Sequence, residues 1–337
     1  HPVAHSFPTR RSSDLIDPEI AERQLQVILK GFNHLYNHSN FLYIADEVGL
    51  GKTYIALGIA SLLRHFSDQP ETYQDLILVP RKNLQYKWLK DLNNFIKYNY
   101  LQRDNRVKTV TGESAGAQKM FQELRMNQKD TPAYFIYRNS SFSIGSSADD
   151  NDHSWIDNLR VHIPEEKQAL FDDICRKYQH RKEDHIYIKR AYGYILNTTF
   201  PRTELVIVDE AHNYKHGVGD DVSIRNQIVS RMFRAYTDET DQVILDHFPG
   251  LRQEIAPKVD KLIFLSATPM NKKLTEIKHQ MDCFLDDENH IFSGLDTGRE
   301  QEAEEEIQRN IHRFMIRGVM NLRVNGSGFS RNQYRYE

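Results

Sequence analysis

Cysteine is scarce. Only Cys175 and Cys283 occur, far apart and with no Cys or His partner at metal-ligand spacing, which excludes a zinc module and a disulfide-stapled scaffold. A reduced, cytoplasmic setting is the expected one. Long apolar runs are missing as well: stretches such as LYIA at 42–45 fall far below the ~20 residues needed to span a bilayer. No membrane segment is expected. Nor is positive charge in excess. Lys plus Arg total 44 against 47 Asp plus Glu, a net charge of -3, which excludes a broadly basic protein that coats nucleic acid without selectivity. What remains is a globular composition, 39% hydrophobic over 337 residues. At roughly 150 residues per domain it allows about two domains, or one large domain with insertions.

The chain opens without Met. Residues 5–15 read HSFPTRRSSDL, which matches one reading frame of a common short-read sequencing adapter, and the apolar segment of a secretory signal is missing. Residues 1–15 are therefore expected to be an artefact, and the fold is read from Ile16 onward. The gene is expected to be sampled incompletely.

Asp17-Pro18 is a helix start, an acceptor at the N-cap before a proline at the first helical position. Buried-strand patterns follow at 41–45 (FLYIA), 75–80 (DLILVP), 106–110 (RVKTV), 133–137 (AYFIY), 204–210 (ELVIVDE) and 261–268 (KLIFLSAT). Between strands come helices. After the first strand and its Gly-containing loop, Ile55, Ile59, Leu62, Leu63 and Phe66 form one apolar face, and 83–96 is helical. Strands alternating with helices predict a parallel sheet covered on both faces, with its ligand site at the carboxyl ends of the strands. Residues 138–160, rich in Ser, Asp and Asn, read as a flexible loop, and 161–198 as charged helix; together they form an insertion. Nine acids against Arg299 over 284–308 read as a solvated helix face.

Two patterns carry chemistry. Asp46-Glu47-Val48-Gly49-Leu50-Gly51-Lys52-Thr53 stands between a buried strand and an amphipathic helix. Glycines there let backbone N–H groups close around phosphates, and the helix start adds a positive dipole end. Lys52 is suited to the β/γ oxygens and the Thr53 hydroxyl to magnesium. The strict phosphate-loop pattern is missed at Asp46, where it has Gly. The second pattern, Leu205 to His212, delivers adjacent carboxylates at a strand end: Asp209 to hold magnesium, Glu210 to orient and polarise the attacking water.

ADEVGLGKT, VDEAH and SATP, in that order on successive strands, resemble motifs I, II and III of superfamily 2 helicases. Asp46 within DEVGLGKT is similar to the SWI/SNF-type branch of double-stranded DNA translocases, including bacterial relatives. LILVPRKNLQYKWLKDL resembles their motif Ia, and the resemblance covers about 16–320. It implies an α/β fold, a RecA-like P-loop NTPase lobe with a parallel β-sheet, helices on both faces and a helical or flexible insertion. The implied organisation is a lobe over 16–295, with the insertion at about 138–198, then a helical connection over 296–337 towards a second lobe missing from this chain. The implied cofactors are ATP and Mg²⁺, and the implied partner is DNA, in double-stranded form.

By the same resemblance, Glu47, Gly49, Leu50, Gly51, Lys52 and Thr53 bind nucleotide and metal. Asp209 and Glu210 serve hydrolysis with Lys52, and His212, Ser266 and Thr268 couple nucleotide state to the nucleic-acid track. Family members read adenine with an upstream glutamine; Gln24 or Gln26 suits that place, with Gln24 preferred. Residues 81–108 carry a net charge of +6 interleaved with Tyr86, Trp88, Tyr98 and Tyr100, a composition suited to a backbone-tracking groove. Arg81, Lys82 and Lys87 are the expected nucleic-acid contacts, the alternative being a solvated helix face. A second basic patch, from Arg176 to Arg190, reads as charged helix surface.

Motors of this family take an arginine finger from a second lobe, worth about 10³ to 10⁵ in rate. Gly318 stands where relatives usually carry a second Arg, so Arg317 is not equated with that finger, and the chain alone is expected to turn over little. Three alternatives stay open: the motor subunit of a restriction or phage-defence system, an RNA helicase, and a nucleotide-dependent binding switch that does not hydrolyse ATP.

Overall fold

The computed structural model describes residues 18–70, 72–99, 108–111, 133–142, 154–219, 221–286, 290–318, 321–324 and 327–330. The adapter-like residues 1–15 lie outside these. The elements run α1 (Pro18–Asn37), β1 (Phe41–Ile44), α2 (Lys52–His65), β2 (Gln74–Val79), α3 (Lys82–Asn99), β3 (Lys108–Thr111) and β4 (Ala133–Arg138). Then follow α4 (Ser154–Arg160), α5 (Glu165–Tyr178), α6 (His185–Thr199), β5 (Thr203–Asp209), α7 (Ile224–Arg234), α8 (Glu239–His247) and α9 (Pro249–Glu254). The rest are β6 (Val259–Leu265), α10 (Thr275–Asp282), α11 (Glu300–Phe314), β7 (Met315–Ile316), β8 (Asn321–Val324) and β9 (Ser327–Ser330).

Seven strands form one sheet in the order β3-β4-β2-β5-β6-β1-β7, and every pairing in it is parallel. β8 and β9 form a separate antiparallel pair. Parallel strands need crossover helices, and these cover both faces as the alternation of elements predicts. Successive side chains on a strand point to opposite faces. Leu42, Ile44, Ile77, Val79, Leu205, Ile207, Ile263 and Leu265 therefore join one core with α1, α2 and α3. Their neighbours Phe41, Tyr43, Leu76, Leu78, Val206, Val208, Leu262 and Phe264 join the other, with α4 to α8, α10 and α11. The expected α/β RecA-like P-loop lobe is the fold observed.

The region expected to be a flexible loop is corrected in part. Residues 154–160 are helix α4, with Trp155, Ile156 and Leu159 buried, because three apolar side chains close together have a core to enter. Residues 143–153 lie outside the described residues. The helices that follow are part of the main core: Phe171, Ile174, Ile188, Tyr192 and Ile195 are no more than 2% exposed. After α11 the chain returns to the sheet, where Met315 and Ile316 pair with Tyr43 and Ile44 of β1, so the stretch expected to be a helical connection is helical only through Phe314. Among the described residues no helix is long and apolar enough to cross a membrane.

Burial of charge in the helical layer is compensated pairwise. Arg231 on α7 and Asp241 on α8 are both fully buried; Arg231 Nε donates to Asp241 Oδ1 at 2.9 Å and Nη2 to Oδ2 at 2.6 Å. Asp238 caps α8 in a capping box with Asp241 and accepts from Arg190 at 2.8 Å. Removing one member leaves a buried carboxylate uncompensated, so Arg231→Ala is expected to cost about 3–5 kcal/mol in urea unfolding. A loss in the range of an exposed ion pair, roughly 0–1 kcal/mol, would contradict this reading of the network.

Candidate nucleotide site

β1 ends at Ile44, and the chain from Asp46 to Gly51 turns into α2, whose first residue is Lys52. Gly49 and Gly51 hold φ of 97° and 83°, the left-handed region that a side chain disfavours. At Gly51 a Cβ would also meet the Gln24 side-chain amide. That amide donates to the Leu50 carbonyl at 3.1 Å. Gln24 is thus the glutamine brought to the loop, whereas Gln26 is exposed and bonds Glu22. α2 has no side-chain cap and no acidic residue in its first turn, which leaves its N–H groups and dipole end to an anion. Lys52 Nζ donates to the carbonyls of Asp46 at 2.7 Å and Glu47 at 3.3 Å. Thr53 follows in the first turn, half-buried.

Asp46 explains its own departure from the strict pattern. Its carboxylate is fully buried, and Oδ1 accepts from Arg23 Nη2 on α1 at 2.8 Å and from the Gly318 amide at 2.5 Å. Backbone bonds from Ala45 to Ile316 at 2.7 Å and from Glu47 to Gly318 at 3.1 Å close the same seam. A Cβ at Gly318 would fall against Arg23 Nη2, so a side chain at this position would require the guanidinium to shift.

β5 carries Asp209 to the carboxyl edge of the sheet, two strands away from β1. Both oxygens of Asp209 are held: Oδ1 accepts from the Glu210 amide at 3.0 Å and Oδ2 from the Trp88 indole at 2.8 Å. Burial pushes the Asp209 carboxyl up, and the indole opposes that push. Glu210 adopts φ 52° and ψ 50°, left-handed and uncommon for a non-glycine residue. Strain of this kind concentrates at functional sites. A 3-10 turn at Ala211–Tyr214 follows, with Asn213 donating from backbone and side chain to the Glu210 carbonyl at 3.0 and 2.7 Å.

His212 links this pair to the next strand end. Its Nδ1 lies 3.2 Å from Glu210 Oε2 and 2.9 Å from Ser266 Oγ, and Ser266 Oγ accepts from the Thr268 amide at 3.1 Å. The hydrogen bond from His212, with Lys52 nearby, holds the Glu210 carboxyl below the usual range. Burial lowers the Lys52 ammonium, and Glu210, Asp46 and Asp209 push it back up. The phosphate-loop lysine and the carboxylate pair therefore share one electrostatic environment. A hydroxyl at Thr53 and an oriented carboxylate at Asp209 are hard oxygen donors of the kind that magnesium takes beside phosphate oxygens, so the residues present suit a nucleoside triphosphate with a divalent cation.

Arg81, Lys82 and Lys87 are exposed at the start of α3, and Lys82 Nζ lies 5.7 Å from the Tyr86 ring centre. Lys87 is also close enough to Lys52 to lower it, so its charge reaches the phosphate loop. Arg103, Arg106 and Tyr100 of the same basic stretch lie outside the described residues. Trp88, counted among its groove aromatics, is instead 1% exposed; the position falls on the inner face of α3 with Gln85, Leu92 and Phe95. The second basic patch disperses: Arg190 is 1% exposed against Asp238, and Lys189 lies over Trp155. Arg23, Trp88 and Gln280 were not singled out by the motifs; Gln280 accepts from Tyr43 on β1 at 2.9 Å and donates to the Pro269 carbonyl at 2.7 Å. For Trp88 the available signal was its spacing from Gln85 and Leu92 on one helix face.

The family described as type III restriction enzyme, res subunit, matches residues 17–269. The chain belongs to this family. Res-subunit membership puts it among the superfamily 2 helicase-type proteins, a nucleotide-binding ATPase class. No curated protein matches the sequence. Among solved structures, the Sulfolobus solfataricus SWI2/SNF2 ATPase core in complex with dsDNA is 12% identical, with 89% of this chain and 44% of that chain covered at a TM-score of 0.43. A nuclease-deletion mutant of the type ISP restriction-modification enzyme LlaGI is 14% identical, covering 74% and 17% at 0.41. The DEAD-box helicase Mss116 bound to ssRNA and UDP-BeF is 14% identical, covering 81% and 44% at 0.39. The chain spans less than half the length of each.

Restoring the strict phosphate-loop glycine is expected to harm this protein. Asp46→Gly leaves the Arg23 and Gly318 donors without their charged acceptor, at about 1.5–3 kcal/mol for a hydrogen bond to a charged group. Urea denaturation of the variant measures it, and an unchanged or higher midpoint would refute the clamp.

Proposed function

We propose that this chain is the ATP-binding lobe of an ATP-dependent motor that moves on double-stranded DNA. One observation carries the reading: Lys52 of the phosphate loop follows β1 and the Asp209–Glu210 pair ends β5 at the same carboxyl edge of the parallel sheet, and Glu210 is joined through His212 to Ser266 and Thr268. In the reaction Gly49, Gly51 and the first turn of α2 present N–H groups to the phosphates, and Lys52 transfers from its carbonyl partners to the β/γ oxygens. Glu47 and Leu50 shape the loop, and Gln24 stands at its edge to read adenine. Thr53 and Asp209 would hold Mg²⁺, which when bound would supply charge neutralisation at the phosphates. Glu210, with His212 Nδ1 at 3.2 Å, orients the attacking water and receives its proton. Any change at Glu210 passes through His212 and Ser266 to the Thr268 backbone, which is the coupling assigned to those three residues. Arg81, Lys82 and Lys87 form the DNA-backbone contact, and their charge makes binding salt-dependent.

The SWI/SNF-like DEVGLGKT loop supports the duplex-DNA assignment. A second reading, the motor of a restriction system, is favoured by the family match and shares the DNA substrate.

Lys52→Ala is expected to abolish binding of a fluorescent ATP analogue. Glu210→Gln should retain that binding while ATP hydrolysis by the full-length gene product falls by about 10²-fold or more. Equal hydrolysis by wild type and Glu210→Gln would support the non-hydrolysing switch instead. Duplex DNA is expected to stimulate the full-length ATPase. Stimulation by RNA with no response to DNA would convert the assignment to an RNA helicase.

A further inference from the structure

Helix α3 does two things at once. Its exposed side carries Arg81, Lys82, Tyr86 and Lys87, and its buried side sends Trp88 into the nucleotide site, where the indole N–H meets Asp209 Oδ2 at 2.8 Å. The helix is fastened to the sheet by Gln85, whose Nε2 donates to the Ile136 carbonyl of β4 at 2.8 Å. Apolar packing alone does not require an indole; phenylalanine or leucine would fill an inner helix position. What the indole adds is a donor with no acceptor function and no charge. A cationic donor at that place would neutralise Asp209 and compete with a metal ion. The neutral N–H fixes the carboxylate plane while leaving its full charge available, the role that outer-sphere partners play around metal-binding carboxylates.

We propose that Trp88 is a positioning residue for Asp209, aiming its carboxylate at the nucleotide-bound divalent cation. The assignment rests on the nucleotide-site reading above.

Trp88→Phe in the full chain keeps an aromatic ring and removes the donor. Binding of a fluorescent ADP analogue, titrated with Mn²⁺, should need about 10-fold or more metal for half-saturation, while its affinity without metal stays within about twofold of wild type. A metal curve that superimposes on wild type overturns the assignment. A second measurement does not depend on the folding of that variant. Trp155 is the only other tryptophan, so in Trp155→Phe all indole emission comes from Trp88. Mn²⁺ with ADP should quench that emission, ADP alone should not, and absence of quenching also overturns the assignment. Lys52→Ala separates the two levels. If it loses the nucleotide while Trp88→Phe titrates as wild type, the Trp88 assignment alone fails; if it binds nucleotide as wild type does, the site reading fails and takes Trp88 with it.

Discussion

Every group in the candidate site depends on one constraint, the parallel direction of the sheet. Because β1, β2, β5 and β6 all run the same way, their carboxyl ends share an edge, and whatever follows each strand is delivered there. Lys52, Asp209 and Ser266 come from three different strand ends and meet because of that geometry. Reversing one strand would send its loop to the opposite edge, so no local substitution could substitute for the topology. The alternating burial of each strand serves the same end: it demands helices on both faces, and the crossovers that supply them are what keep the strands parallel.

Within that frame the chemistry is arranged by hydrogen bonds that reach between elements. Asp209 and Glu210 are neighbours in sequence yet are pushed in opposite directions, Asp209 up by burial and Glu210 down by His212. The two neighbouring carboxylates therefore sit in distinct electrostatic environments at one strand end. The left-handed backbone at Glu210 lets the chain leave β5 sharply, which places His212 against Ser266 instead of continuing along the strand.

Much of this was legible in the sequence, and the parts that were not share a cause. The strands and the phosphate loop follow from local pattern, since burial on two faces writes itself as short apolar runs and left-handed turns as glycine. Gln24 over Gln26 was favoured from position, and the fold brings Gln24 to the loop. Trp88 misled because an aromatic among lysines reads as a groove residue until the helix face is known; its partner lies 121 residues away. The Asp46 clamp spans 272 residues to Gly318, and nothing in DEVGLGKT names either partner. Helix α4 is seven residues long, too short for periodicity to separate it from the Ser- and Asp-rich stretch in which it sits.

The Gly318 amide and the Arg23 guanidinium occupy adjoining space above one carboxylate. A side chain at position 318 would meet the Arg23 guanidinium and require it to shift, and loss of Arg23 would leave Asp46 Oδ1 with one of its two donors. Substitutions at 23 and 318 are therefore expected to be coupled and not additive, because the two residues share one acceptor.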